Sequence, residues 1–237
     1  MAYTSKQIGS KYSSSFKAYI LKDGKVVSPF HDIPLMVDGS FNYVTCINEI
    51  SRFEHGKFEI CKEASFNPIC QDVKKDKVRF VKNVFPSFGY PFNYGALPQT
   101  WENPMLEDSE CKARGDNDPV DIVEIGSKVK KIGEVYQGKV LGALALLDDN
   151  EADWKIIVID SKDEMAGKVN DIEDVRHHFP GLLEWIFKWF RDYKVPDGKP
   201  KNIFAFNGKF LNARFAKDVI KKTHESWKSL IVEGYKK

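Results

Sequence analysis

The chain has 237 residues, 42% hydrophobic and 30% charged, with a net charge of +2 and a pI near 8.2. This is enough chain for a substantial core and one globular domain spanning 1–237. The balanced charge gives no pull toward nucleic acid or an anionic membrane, and the lysine runs Lys74-Lys75-Lys77 and Lys128-Lys130-Lys131 read as solvated faces.

Cys46, Cys61, Cys70 and Cys111 are irregularly spaced, with no C-x-x-C, as expected of reduced thiols in a cytoplasmic protein. The N-terminus lacks the apolar stretch of a signal peptide, and no arginine precedes Arg52. The longest apolar run, 141–147, is too short to span a bilayer.

Residues 1–15 are polar and serine-rich and read as a loose arm. Segments 16–22 and 25–30 flank Asp23-Gly24, the pattern of a β-hairpin. A strand is predicted over 43–50. After a turn at His55-Gly56, residues 57–61 alternate: Phe58 and Ile60 take one face, Lys57 and Glu59 the other. Local pattern alone makes the second face solvent-exposed. Residues 62–76 read as loop, and 78–81 as a short strand carrying Arg79. Segment 85–101 is rich in aromatic residues, glycine and proline and has neither helical nor strand period. It reads either as an aromatic plug over the core or as an ordered functional loop.

The stretch Gly115-Asp116-Asn117-Asp118-Pro119-Val120-Asp121 places three carboxylates within six residues. Pro119 pushes Asp118 toward extended backbone, so Asp116 and Asp118 are expected to point to one side. Oxygen-only ligands suit hard cations. An EF-hand is excluded: counting from Asp116, the sixth position is Asp121 rather than glycine, and the twelfth is Ser127 rather than glutamate. Segments 134–147 and 154–159 read as strands, with a second acid cluster, 148–153, at the hairpin tip between them. Five or more meandering strands predict a closed or partly closed antiparallel barrel.

Helices are predicted over 170–176, 181–193 and 213–231. The second turns Leu182, Leu183, Trp185, Ile186, Trp189, Phe190 and Tyr193 inward, and the third Ala216, Val219, Ile220, Thr223, Trp227 and Leu230. No repeat or linker separates these parts, so the helices pack on the barrel in one α+β domain.

The acid run Asp116-Asn117-Asp118-Pro119-Val120-Asp121 resembles the signature of the family I soluble inorganic pyrophosphatases. So does Gly89-Tyr90-x-x-Asn93-Tyr94-Gly95-Ala96-x-Pro98-Gln99-Thr100-Trp101. Three later motifs resemble the eukaryotic branch: Asn170 to Val175, Phe179 to Leu183, and Trp189 to Pro200. The resemblance covers most of residues 16–231. It implies an OB-like five-stranded antiparallel β-barrel flanked by α-helices. It also implies hydrolysis of pyrophosphate to two orthophosphates with several Mg2+ ions, Mn2+ or another divalent ion being able to substitute.

By that resemblance Asp116, Asp121 and Asp153 hold the first metal, Asp121 is shared with a second, and Asp148 and Glu59 place those arriving with substrate. A water bridging two metals becomes the nucleophile, and Asp118 accepts its proton. Arg79, Tyr193 and Lys194 grip the leaving phosphate, and Lys57 and Tyr94 the attacked one. Glu49, Tyr90, Lys155 and Lys199 support them. Seven carboxylates thus face five cations, and multi-metal catalysis restores neutrality around an anionic substrate. The resemblance further implies a homodimer, with Phe53 and Phe88 standing where larger or more polar aromatics are expected. The rival readings are a polyphosphate or nucleotide phosphatase using the same site, and a catalytically idle subunit of a larger assembly.

Overall fold

The computed structural model describes residues 3–36 and 39–234. Among the described residues, sixteen strands and three α-helices follow in chain order. The first three, β1 (Tyr3–Ile8), β2 (Lys17–Lys22) and β3 (Lys25–Val27), form an N-terminal antiparallel group, with the Asp23-Gly24 turn between β2 and β3. Next come β4 (Tyr43–Ile50), β5 (Phe58–Ile60), β6 (Ile69–Gln71), β7 (Val73–Lys74), β8 (Lys77–Val78) and β9 (Asn93–Ala96). Then follow β10 (Glu107–Asp108), β11 (Ala113–Gly115), β12 (Asp121–Glu124), β13 (Val135–Asp148) and β14 (Glu151–Asp160). The helices are α1 (Ile172–His178), α2 (Leu182–Asp192) and α3 (Ala213–Gly234), with the short β15 (Ile203–Phe204) and β16 (Leu211–Asn212) before α3.

Five strands close on themselves in the order β4, β13, β14, β12, β9 and back to β4. This is the expected OB-like barrel. Four of its junctions are antiparallel. The fifth, β12 with β14, is parallel, with Asp121 opposite Lys155 and Ile122 opposite Ile156. The β13–β14 hairpin turns at Asp149 and Asn150, whose φ angles are 48° and 72°. Two left-handed centres are what a type I′ turn needs, and Asp and Asn are the side-chain-bearing residues that adopt them most readily. The turn itself is therefore only Asp149-Asn150; Asp148 ends β13 and Asp153 lies inside β14.

Both faces of the β13–β14 hairpin are covered, which is why its sequence is almost continuously apolar. Leu144, Leu146, Ile157 and Ile159 join α2 residues Leu183, Ile186 and Trp189 in one core cluster. Ala143, Ala145, Ile156 and Val158 join α3 residues Ala216, Val219 and Ile220 in the other. Leu182, Trp185 and Tyr193 of α2, and Thr223, Trp227 and Leu230 of α3, are half-buried at the margins. Helix α1 begins at Asp171, whose Oδ1 accepts the Ile172 amide at 2.6 Å.

Three expectations need correction. The loose arm is a strand from Tyr3 to Ile8 that pairs with β2 over its whole length; Met1 and Ala2 lie outside the described residues. It is mostly exposed and held through its backbone, so no apolar alternation marks it. The loop expected over 62–76 contains β6, which pairs with both β2 and β5, but three residues are too few for a pattern. The aromatic segment contains β9, whose four residues are all buried between β4 and β12. A Cβ on Gly95 would stand 1.9 Å from the Ile47 carbonyl oxygen, so glycine is what lets β9 and β4 approach.

Candidate active site

The strands β12, β13 and β14 bring their acids to one end of the barrel: Asp121 opens β12, Asp148 closes β13, and Asp153 lies near the start of β14. Asp116 and Asp118 come from the turn before β12, Lys57 and Glu59 from the edge of β5, and Glu49 from β4. With Tyr90, Tyr94, Lys155 and Tyr193 they line a cavity of about 230 Å³. Of the residues anticipated from sequence, Arg79, Lys194 and Lys199 are not in this lining. Arg79 is linked to it through Asp72, and Lys194 through its ion pair with Asp148. Lys199 is exposed after the Val195–Asp197 turn.

Asp116 and Asp118 do converge on the cavity, but not by strand alternation. Asn117 between them has φ 72°, a left-handed residue, and the Asp118 amide donates to Asp116 Oδ1 at 2.9 Å. The side chain thus builds its own turn, a habit of aspartate in such positions. Asp118 remains half-exposed, and its carboxylate pairs with the Lys62 ammonium, which also donates to the Asn117 carbonyl at 2.5 Å.

Lys155 is 2% exposed and reaches three groups: Asp121 Oδ2 at 2.5 Å, Tyr94 Oη at 3.0 Å, and the Asp153 carboxylate. The Tyr94 hydroxyl also donates to Asp121 Oδ2. Lys57 donates to Glu59 Oε2 at 2.7 Å and to Asp72 Oδ2 at 3.1 Å, and the same Asp72 oxygen accepts from Arg79 at 2.5 Å. Burial alone would raise the Asp72 carboxyl, but Lys57 and Arg79 hold it below the usual carboxylate range.

Other acids are pushed the opposite way. Burial, then the charges of Asp153, Asp118 and Asp121, push Asp116 up to about 9. Burial lifts Asp153 to about 7 against the pull of Lys155. Glu49 is driven well above its ordinary range, first by burial and then by Asp121, although it accepts the Ile60 amide at 2.7 Å. Charged groups displaced this far collect where a site has work to do.

Besides Lys62, two residues at the site escaped the sequence reading. Asp72 is one; its signal, an acid flanked by cations in the folded hairpin, exists only in three dimensions. Glu102 is the other. It is 3% exposed, its Oε1 accepts the Trp154 amide at 3.0 Å, and its Oε2 is buried without a partner. Glu102, Asp116 and Asp153 each offer an oxygen, all within 4.8 Å of one another. A buried unpartnered carboxylate oxygen is costly, and this one, with the carboxylates of Asp116 and Asp153 beside it, suits a hard divalent cation.

The aromatic segment serves both roles considered for it. Phe92 and Trp101 are core residues, while Tyr90 and Tyr94 reach the cavity. Tyr90 packs on Trp189 at 4.9 Å, and Trp189 stacks on Tyr193 at 4.9 Å with a 9° interplanar angle. The Trp189 indole donates to the Gly89 carbonyl at 3.1 Å, fixing the segment to α2.

A sequence model of the family described as "Inorganic pyrophosphatase" matches residues 46–228. The inorganic pyrophosphatase of Encephalitozoon cuniculi is 59% identical over 230 residues, covering 97% of this chain and 83% of that protein. Among solved structures, the inorganic pyrophosphatase from Schistosoma japonicum superposes with a TM-score of 0.94 at 51% identity, covering 96% of this chain and 80% of that one. An N-terminal-domain-truncated vacuolar soluble pyrophosphatase of Trypanosoma cruzi, solved in complex with PPi, superposes at 0.89 with 38% identity, covering 97% and 91%. With a family match over residues 46–228 and close relatives aligned over nearly the whole length, the chain belongs to the inorganic pyrophosphatase family.

Proposed function

We infer that the chain hydrolyses inorganic pyrophosphate to two orthophosphates, using divalent metal ions of which Mg2+ is the natural choice. The observation that supports this most is the cavity at the barrel end, where carboxylates, ammonium groups and tyrosine hydroxyls face one another around about 230 Å³. The donor set fits hard cations: oxygen ligands throughout, and, beside Asp116 and Asp153, a buried Glu102 Oε2 that has no partner of its own. When bound, such ions supply charge neutralisation of the pyrophosphate and acidification of water at neutral pH.

Asp116, Asp121 and Asp153 would hold a first ion, and Asp121, Asp148 and Glu59 would offer ligands to further ions. Asp118, half-exposed at the cavity wall, takes the proton of the attacking water. The Lys62 ammonium pairs with its carboxylate and holds it at the cavity wall. Lys57 and Tyr94 orient the attacked phosphate. Arg79, Tyr193 and Lys194 receive the leaving one, Arg79 with a planar fork and Lys194 as a point charge. Asp72 positions Lys57 and Arg79 together. Tyr90, Glu49 and Lys155 support the cavity from buried positions, and Lys199 adds positive charge outside it. Tyrosine hydroxyls donate without adding charge where charge is crowded. Phosphoryl transfer of this kind rests on positioning and electrostatics and needs no covalent intermediate.

The same reading makes the protein a cytoplasmic homodimer. Phe53, Phe85 and Phe88, 56%, 90% and 62% exposed, supply the apolar face for the second copy. Sedimentation over a range of concentrations checks the dimer, and a monomer at every concentration rejects it. For the activity, phosphate release is compared with pyrophosphate, triphosphate and ATP in Mg2+, wild type against Asp118→Ala. The expected result is strong preference for pyrophosphate and a loss of about 10²- to 10⁴-fold in the variant with folding retained. Preference for ATP would move the substrate, unchanged turnover in the variant would reject Asp118 as base, and no turnover of any substrate would favour an idle subunit.

A further inference from the structure

Strands β7 and β8 form a two-stranded hairpin of their own, outside both larger sheets. Residues 73–78 carry Lys74, Lys75 and Lys77 against the single carboxylate of Asp76. The register sets Lys74 directly opposite Lys77. Like charges in that position are destabilising. Lys75 and Asp76 turn the hairpin with φ angles of 52° and 59°, the left-handed pair that a type I′ turn needs. Lysine enters that region at a cost that glycine or asparagine avoids. Residues 73–77 are exposed, and among the described residues none of the three ammonium groups has an ion-pair partner. Nothing local therefore accounts for three lysines here.

The hairpin is rooted in the site. Asp72 precedes it and Arg79 follows it; the Arg79 amide donates to the Asp72 carbonyl at 2.8 Å, and their side chains form an ion pair. Both also hold the backbone of Lys57. The Asp72 amide donates to the Lys57 carbonyl at 2.9 Å, and the Lys57 amide to the Arg79 carbonyl at 3.0 Å. Farther along, Lys82 donates to the Pro196 carbonyl at 2.9 Å and pairs with Asp197 at 3.1 Å, which ties this segment to the turn after Tyr193 and Lys194. The hairpin thus springs from the cationic side of the cavity. The cavity wall itself holds nine carboxyl groups and only two ammonium groups.

We propose that Lys74, Lys75 and Lys77 form an electrostatic capture arm, which draws the anionic substrate toward the cavity and acts on it at a distance. This rests on the reading of the cavity as a pyrophosphate site. A wall made mostly of carboxyl groups repels an anion, so the attraction that speeds its approach has to come from charge outside the wall. Three unpaired ammonium groups rooted at Asp72 and Arg79 supply it. Their reach is set by salt: the Debye length is about 30 Å at 0.01 M ionic strength and about 3 Å at 1 M. Steering of this kind raises association rates by about 10- to 10³-fold. It acts on encounter and not on the chemical step, so it belongs to kcat/KM and leaves kcat alone. Each orthophosphate product carries less charge than pyrophosphate, so the same field favours entry of substrate over return of product. The local costs of the hairpin, a like-charge pair and a left-handed lysine, are the mark of a segment kept for its charge.

The test compares wild type with the triple variant Lys74→Gln, Lys75→Gln, Lys77→Gln and with the triple arginine variant. The probe is imidodiphosphate, a non-hydrolysable analogue of pyrophosphate, with Mg2+. Its association rate is followed in a stopped-flow instrument by tryptophan fluorescence, since Trp189 stacks on Tyr193 in the cavity wall. At about 0.01 M ionic strength the glutamine variant is expected to bind about tenfold more slowly, and the deficit to shrink below about twofold at about 1 M. The arginine variant keeps the wild-type rate. In pyrophosphate hydrolysis the glutamine variant loses kcat/KM at low salt with kcat unchanged. Its urea midpoint is no lower than that of wild type, because Lys74 no longer faces Lys77. Equal association rates at low salt overturn the proposal. So does a deficit that persists at about 1 M, which would mean direct contact or a disturbed site. Wild type that binds imidodiphosphate with no difference between variants sinks the capture arm alone; wild type that binds none sinks the pyrophosphate reading with it.

Discussion

Replacing Lys155 by methionine removes a buried ammonium while keeping the length and most of the volume of the side chain. In the metal-free protein this ammonium, 2% exposed, stands between Asp121 at 2.5 Å and Asp153 and also meets Tyr94 Oη at 3.0 Å. Without it two carboxylates face each other in a poorly solvated corner. Breaking a buried ion pair by removing one partner costs about 3–5 kcal/mol. At about 2–4 °C per kcal/mol for a chain of this size, Lys155→Met is expected to lower Tm by roughly 6–20 °C in EDTA. The loss grows with pH. Burial already holds the Asp153 carboxyl above its unfolded value against the pull of Lys155; losing that pull raises it further, and a raised carboxyl destabilises the fold increasingly as pH climbs from the unfolded value through the folded one. The drop is therefore smaller at pH 6 than at pH 8. Magnesium should reverse it in part. An ion at 100 times its Kd stabilises by about 2.7 kcal/mol, and the variant has lost the ammonium that competes for the same oxygens, so its Mg2+-induced rise in Tm exceeds that of wild type. Differential scanning fluorimetry with EDTA and with Mg2+ at both pH values reads all three effects. A drop under about 2 °C in EDTA, or an equal magnesium shift in the two proteins, would refute the reasoning.

Asp72→Asn frees Lys57 and Arg79 from their shared anchor. Charged hydrogen bonds of about 1.5–3 kcal/mol translate into a roughly 10- to 100-fold fall in kcat/KM for pyrophosphate, measured by phosphate release. Because the folded carboxyl of Asp72 is depressed, its stabilising effect is present above the unfolded carboxylate pKa and is lost as pH falls through the folded one. Urea midpoints of wild type and variant should therefore differ at pH 7 and converge as pH falls below the usual carboxylate range. Gly95→Ala sets a methyl group 1.9 Å from the Ile47 carbonyl oxygen and 3.0 Å from Asn48 Cα, which forces β9 and β4 apart at a cost of about 3 kcal/mol; an unaltered urea midpoint would contradict the packing described. In calorimetry without substrate, Asp116→Asn should weaken Mg2+ binding at least tenfold, and Asp148→Asn by less, since the ammonium of Lys194 already compensates Asp148. The reverse order would relocate the resting ion.

How much of this was legible in the sequence depends on the range of the interaction that fixes each feature. The β13–β14 hairpin was readable because both signals are local: an apolar run bounded by Asp149-Asn150, residues that tolerate the left-handed turn. The helices were readable from their period, and the capping of α1 by Asp171 from a single residue. Strand β1 was hidden because its pairing with β2 is a matter of backbone amides, indifferent to Thr4, Ser5, Lys6 and Gln7. Strand β9 was hidden because burial on both sides abolishes alternation, and the strand contains a glycine whose reason is a carbonyl oxygen nearly fifty residues earlier. In the site, the Asp116–Asp121 motif announced itself by density, yet the path to convergence was wrong: a left-handed Asn117 and an amide-to-carboxylate bond replace the extended chain. Glu102 follows a tryptophan in an aromatic-rich segment and looked like nothing in particular. Its significance is a distance to Asp116 and Asp153, which no spacing along the chain encodes.

That distance also orders the acids of the cavity. Asp118 has Lys62, Asp121 and Asp153 share Lys155, Asp148 has Lys194, and Glu59 has Lys57. Each of these carboxylates is already balanced by an ammonium of the chain itself. Asp116, Glu102 and Glu49 are different: burial first, and then the charges of other acids, push all three upward. The metal-free fold therefore tolerates its acid cluster in two ways, by internal ion pairs on one side of the cavity and by retained protons on the other. Protons are displaced from an unpaired acid more cheaply than an ammonium is displaced from a buried pair. On the proposed reading, a first divalent ion held by Asp116, Asp121 and Asp153 would also have Glu102 beside it, since Glu102, Asp116 and Asp153 each offer an oxygen within 4.8 Å of one another. Ions held between the paired groups would compete with Lys155, Lys194 and Lys57 for their carboxylates, and those ammonium groups would then be free to meet the negative charge that pyrophosphate brings.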